Sequence, residues 1–162
     1  MRSPSVGDLE RVPLGVAVRA GAARPDVSAV HAFKQVLLRA GTVAVPGSTS
    51  GIWLVTDIFP RLGVADKIKA EMTPRGSDAS GMVAAGAADL AVMPVSEIVA
   101  AKGVDLAGVL PPEIQMVQVF AAAIVAGSQA VEAAKRLIEC LASPRAAETI
   151  ERSGMEPLAT AR

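Results

Sequence analysis

The sequence predicts an α/β layered fold built on a mainly parallel sheet, and three observations carry that expectation. Short β-branched runs alternate with amphipathic helical patterns along the whole chain. Hydrophobic residues make up 51% of the 162 positions and mean hydropathy is +0.42, which supplies a core rather than a disordered coil. No apolar run is long enough to span a bilayer, so the hydrophobicity belongs to packed elements.

The elements follow in order. Residues 12–18, VPLGVAV, read as a strand, and RAGAARPD after it as a loop. Ser28 is placed as the N-cap of a helix with Val30, Phe33, Val36 and Leu37 on one face, and Gly41 as its C-terminal glycine. Residues 42–45 form a short buried strand. The next helix carries Ile52, Val55, Ile58, Phe59 and Leu62 at helical spacing and stops at Gly63, with Pro60 shortening or kinking its last turn. Residues 68–73 are a strand, and 78–85 a short helix closed by Gly86. ADLAVMP, 88–94, is a buried strand, after which Ser96 caps a helix through Ala101. VDLAGVLP, 104–111, and MVQVFAAAIVAG, 116–127, are two further strands. Two helices finish the chain. The first, 129–142, has Val131, Ala134, Leu137, Ile138 and Leu141 on one face. The second opens with Ser143 as N-cap and Pro144 at its first position, and ends near Gly154.

Composition excludes several functions. Lys+Arg and Asp+Glu balance at 16 each, so no polyanion partner is indicated, and 2% aromatic residues leave little for base stacking. No nucleic-acid partner is therefore expected. Cys140 is the only cysteine and His31 the only histidine, so neither a disulfide nor a Cys/His metal cluster can be built. Cys140 reads as a small buried hydrophobe in a helix, and His31 as a surface or packing residue. No cofactor is called for.

One stretch invites chemistry. In VPGSTSGIW, residues 45–53, a β-branched run meets a Pro-Gly turn, then Ser48, Thr49, Ser50 and Gly51 at a helix mouth. A helix N-terminus offers unpaired amides and partial positive charge, hydroxyls add donors without fixed charge, and Gly51 would let a ligand reach the backbone. This reads as a neutral cradle for an oxyanion or carboxylate. Ordinary N-capping accounts for the same residues on local grounds. The segment is neither a P-loop nor a nucleophile elbow. In the MPVSE segment, Met93, Pro94 and Ser96 stand at the same sheet end. Glu97 reads there as a helix-start residue favoured by the dipole, and Trp53 as a packing residue able to roof a ligand.

The ordered set GSTSGIWLVTDIFPRLGVADKIKAE, VAAGAADLAVMPVSEI, GVDLAGVLPPEIQMVQVFAAAIVAGS and AAKRLIECLASPRAAETIERSGMEP resembles the molybdate-type substrate-binding proteins of ABC importers. The resemblance implies a type 2 periplasmic binding protein, two α/β lobes closing on a small anion, with a membrane permease as partner of the full-length protein. It implies that 17–116 forms the second lobe, with 1–16 and 117–162 as crossing strands and a remnant of the first, including two C-terminal helices. It places ligand contacts at the mouth matching Ser50 and Gly51 and at the strand end matching Val92 and Met93. The tyrosine of some molybdate sites has no counterpart, since the chain contains none. A periplasmic site follows from the resemblance, although no signal peptide is visible at the N-terminus. With most of one lobe missing, weak ligand binding and a homodimer through uncovered C-terminal helices are expected. Two further readings on this scaffold are an isomerase acting on a small tricarboxylate, like aconitate isomerase, and an effector-sensing domain.

Overall fold

The computed structural model describes residues 7–158. They divide into two compact units, Pro13–Met116 and a second formed by the described parts of Met1–Val12 and Val117–Arg162. Residues 1–6 and 159–162, part of the expected crossing strands and remnant, lie outside the described residues.

The expected strand over 12–18 is divided at Pro13, which has no N–H to give a ladder. β1 (Gly7–Val12) ends before it, and β2 (Leu14–Arg19) starts after it in a different sheet. The larger unit then runs α1 (Val30–Arg39), β3 (Thr42–Pro46), α2 (Thr49–Trp53), a π-helical turn (Leu54–Ile58) and α3 (Phe59–Arg61). It continues with β4 (Lys69–Thr73), α4 (Gly76–Ala85), β5 (Leu90–Pro94), α5 (Val95–Ala100), β6 (Val104–Val109) and a 3₁₀ turn at Pro112–Ile114. The sheet order is β4-β3-β5-β2-β6. β3 pairs parallel with β4 and β5, whereas β2 pairs antiparallel with β5 and β6. Four strands therefore run one way and β2 alone runs against them, so the sheet is mainly parallel as expected.

Alternation along these strands sorts side chains by size. Val16, Val43, Val45 and Val92 face a core containing Phe33 and Leu37 of α1 with Leu54, Ile58 and Phe59. Ala17, Ala44, Ala91 and Met93 face Ala79 and Val83 of α4 and Ile98 of α5. The small residues on that face let α4 lie close over β2, β3 and β5. Gln115 fastens the start of β2. Its Oε1 accepts from the Leu14 amide (2.7 Å), and its Nε2 donates to the Leu14 and Leu110 carbonyls.

Several expected helix ends are corrected. α1 starts at Val30 after Ala29, and Ser28 instead donates its hydroxyl to Asp26 at 2.7 Å. Gly41 does not close that helix. Its amide donates to the Asp89 carboxylate, while the chain leaves the helix at Ala40 in extended backbone. Ser96 lies inside the first turn of α5, whose cap position is Pro94. Pro60 does disturb its helix. A proline ring collides with the carbonyl four residues earlier, and the preceding turn is widened so that the Phe59 amide bonds to Leu54, five residues back. Gly63 and Gly86 terminate their helices at φ +66 and +77.

The second unit holds β1, β7 (Gln118–Ala122), α6 (Val131–Leu141), α7 (Pro144–Arg152) and β8 (Glu156–Pro157). Its sheet order is β7-β1-β8, both pairings antiparallel. β7 is much shorter than the expected 116–127, because a strand extends only as far as its partner, here the six residues of β1.

Candidate functional site

The candidate site lies at the C-terminal ends of β3 and β5. β3 leads through α2 and α3 to the edge strand β4, while β5 leads through α5 the other way to β6. Neighbouring parallel strands whose connections leave in opposite directions open a crevice at their C-terminal ends. The β3–β5 ladder pairs only Val43 with Leu90 and Ala44 with Ala91, and stops there. Val45–Pro46 and Val92–Pro94 thus pass each other without a ladder, and α2 packs on both strands.

The mouth of α2 is held from the β4 side. The Gly47 amide donates to the Thr73 carbonyl (2.6 Å), and Thr73 Oγ1 donates to the Arg75 carbonyl (2.8 Å) while lying 3.4 Å from that of Val45. The first bond back into the helix runs from the Ile52 amide to the Ser48 carbonyl (2.9 Å). The amides of Thr49, Ser50 and Gly51 are the first-turn donors that no helical carbonyl reaches.

Each expected ligand residue has a definite place. Ser48 has extended backbone at the cap position, but its hydroxyl makes no capping bond and lies 3.4 Å from Ser50 Oγ. Ser48 and Thr49 are exposed, while Ser50 and Gly51 are buried. Ordinary side-chain capping therefore does not explain this hydroxyl cluster.

Gly51 has a packing role that its sequence did not suggest. A Cβ there would lie 1.7 Å from the Pro46 carbonyl oxygen. The glycine is required by α2 folding back over the end of β3. Val92 and Met93 are fully buried on opposite faces of the sheet, Val92 with the valine-lined core and Met93 with the alanine-lined one. Their side chains cannot reach a ligand, which leaves only their main chain for that task. Trp53 packs against the larger core.

A second feature at this sheet end was not legible beforehand. An open pocket of about 540 Å³ lies between α4 and α5, lined by Arg75, Ser77, Glu97 and Lys102 among others. None of Ser48–Gly51, Val92 or Met93 lines it. Glu97 reaches from α5 to Gly76 at the start of α4, where a Cβ on Gly76 would collide with the carboxylate. Burial on that side pushes its pKa above the ordinary value, although the residue keeps an exposed face. The sequence signal was only an acidic residue in a first turn. Among the described residues no group of His, Cys, Asp and Glu could hold a metal ion, and no helix is long and apolar enough to cross a membrane.

A family profile described as bacterial extracellular solute-binding protein matches residues 1–156. An aconitate isomerase from a Pseudomonas species is 39% identical over 153 residues, which is 93% of this chain and 58% of that protein. The chain therefore spans less than two thirds of that relative's length. Among solved structures, the substrate-binding domain assigned to a molybdenum ABC transporter of Clostridium difficile matches with a TM-score of 0.72 at 17% identity. That match covers 94% of this chain and 66% of the other. The periplasmic molybdate-binding protein of Azotobacter vinelandii matches with a TM-score of 0.60 at 18% identity, covering 94% and 67%. At these identities the likeness is one of fold, and it agrees with the fold expected from sequence.

Proposed function

Because the chain belongs to the bacterial extracellular solute-binding protein family, we propose that it captures a small oxyanion or carboxylate at the mouth of α2. The observation that supports this most is the uncapped first turn beside the β3/β5 crevice, with the exposed hydroxyls of Ser48 and Thr49 unused by the backbone. In this reading the amides of Thr49, Ser50 and Gly51 hold the anion, with the helix dipole favouring its charge. The two exposed hydroxyls add donors. Ser50 Oγ, buried beside Ser48 Oγ, sets the position of that first turn. The main chain of Val92 and Met93 forms the facing wall. In the whole protein the solute would pass to a membrane permease of an importer, on the periplasmic side.

The test is an amide-resolved NMR titration with molybdate and, separately, with citrate into the millimolar range. The amides of Thr49, Ser50 and Gly51 should shift first and saturate together. Ser48→Asp should abolish those shifts, because its carboxylate at the exposed cap position would take the first-turn amides itself. Shifts confined to other regions, or unaffected by Ser48→Asp, would move the site elsewhere.

The aconitate isomerase relative favours a second reading, turnover of a small tricarboxylate on the same scaffold. Isomerisation by proton transfer needs a positioned acid/base group. Glu97 supplies a candidate at this end of the sheet, with a pKa raised towards working pH. A turnover assay on aconitate isomers decides between capture and catalysis, and Glu97→Gln should remove the turnover if this reading holds.

A further inference from the structure

Among the described residues three polar side chains are buried, Ser50, Thr73 and Ser80. Ser50 belongs to the candidate site, and Ser80 donates back to the Gly76 and Ser77 carbonyls of its own helix. Thr73 stands instead between two helix starts. Its carbonyl accepts the Gly47 amide at 2.6 Å, one residue before the cap of α2. Its hydroxyl donates at 2.8 Å to the Arg75 carbonyl, which also accepts the amides of Asp78 and Ala79 in the first turn of α4. Pro74 comes next, and a residue before proline is held to extended backbone. The direction of the Thr73 carbonyl is therefore fixed twice, by the proline ring and by the hydroxyl that closes the 73–75 turn. Gly47 is pressed against that carbonyl, since a Cβ there would lie 2.8 Å from its oxygen. The backbone of Gly47 is not left-handed, so contact alone calls for the glycine. Beyond it, α2 runs through the π-helical turn into α3 with helical backbone at both junctions, so the mouth opens one continuous helical segment.

We propose that Thr73 is a positioning residue for the anion site at the mouth of α2, a role that rests on the function proposed above. It acts through Gly47 and not by touching the solute. Its hydroxyl sets its carbonyl, its carbonyl holds Gly47, and Gly47 fixes the direction in which the amides of Thr49, Ser50 and Gly51 point. Every group in this chain of contacts belongs to the larger unit.

Thr73→Val tests it, because the hydroxyl goes at nearly constant shape while the Arg75 carbonyl keeps its two helical donors. In amide NMR without solute, the Gly47 amide should exchange about tenfold faster with solvent and the Thr49, Ser50 and Gly51 resonances should move, as expected for one lost hydrogen bond. Thr73→Ser should restore both. Molybdate and citrate, titrated separately, should bind Thr73→Val about tenfold more weakly than the wild type and Thr73→Ser as the wild type does. Gly47→Ala should weaken binding in the same way, since its methyl meets the Thr73 carbonyl. A hydroxyl that only stabilised the fold would lower the urea midpoint and leave these amides and affinities unchanged, which would overturn the role of Thr73 alone. Failure of Thr73→Ser to rescue would do the same. A wild type that takes neither anion would overturn the proposed function, and this role with it.

Discussion

Two helices of nearly equal length meet different fates. α1 and α6 have ten and eleven residues and both show an apolar stripe. α1 buries Phe33 and Leu37 completely. α6 buries nothing, leaving Leu137 60% exposed and Cys140, expected to be buried, exposed as well. The difference lies in what is underneath. α1 lies on the valine face of a five-stranded sheet, which shares its core with three other helical segments. The sheet of the smaller unit has three strands, one of them two residues long, and β1 presents Asp8 and Arg11 to solvent. Neither core cluster includes a residue of the smaller unit. Periodicity decides which face of a helix is apolar, and only tertiary structure decides whether anything covers it. α7 corrects the expectation of a fully bare C-terminal pair, because its Ile150 is buried.

The sharpest way to break this comparison is a pair of truncations. Phe33→Ala should cost ~3–5 kcal/mol, the usual loss for emptying a buried aromatic site. Leu137→Ala should stay within ~0.5 kcal/mol, as for an exposed position. Urea unfolding of both variants measures the contrast. An equal loss in the two would mean that α6 has a covered face in solution.

A second pair concerns two helical glycines and has opposite signs. Gly51→Ala would drive a methyl into the Pro46 carbonyl and should destabilise by ~1–3 kcal/mol, as overpacking does. Gly81, on α4, has nothing within 4 Å of where a Cβ would stand. Gly81→Ala should stabilise by ~0.5–1 kcal/mol through the helix preference of alanine. Thermal unfolding of both variants provides the check. If Gly51→Ala is tolerated, α2 can move off β3 and the first turn of the candidate site is not rigid.

These contrasts show what the residues revealed on their own. The alternation of strands and helices was legible because period-2 and period-3.6 patterns are local. So were the stops at Gly63 and Gly86, which need a left-handed backbone. The serine caps were legible only in part. Ser143 does stand at the cap position of α7 with Pro144 after it, but its hydroxyl donates to the Cys140 carbonyl, and Ser28 prefers Asp26, since a hydroxyl chooses among nearby acceptors that only the folded turn presents. At the candidate site, the Ser-Thr-Ser-Gly run marked the helix mouth. That Gly51 answers to Pro46, and that Glu97 answers to Gly76, depends on contacts between distant elements. Val92 and Met93 do lie towards the C-terminal end of β5, but a buried run in a parallel sheet gives no sign of how little its side chains can offer a ligand.

The smallest expected effect tests whether the α4 end of the larger unit is settled or under electrostatic tension. Glu97 has its pKa raised from 4.5 by burial against the start of α4. The folded chain therefore holds this proton more tightly than the unfolded chain does. Between the two pKa values the folded state binds more protons, so stability falls as pH rises. The contribution is fully present below the unfolded value and is lost as pH passes through the raised folded value. The carboxylate keeps an exposed face, so solvent screening holds the effect small. Glu97→Gln should remove this slope and be slightly more stable than wild type at neutral pH. Urea midpoints of the two proteins, compared from about pH 4 to pH 7, measure the difference. A wild type that gains on Glu97→Gln as pH rises would have the opposite sign. It would mean that the α4 amides and dipole hold Glu97 as an anion, making the Gly76 contact a helix cap rather than a cost of burial.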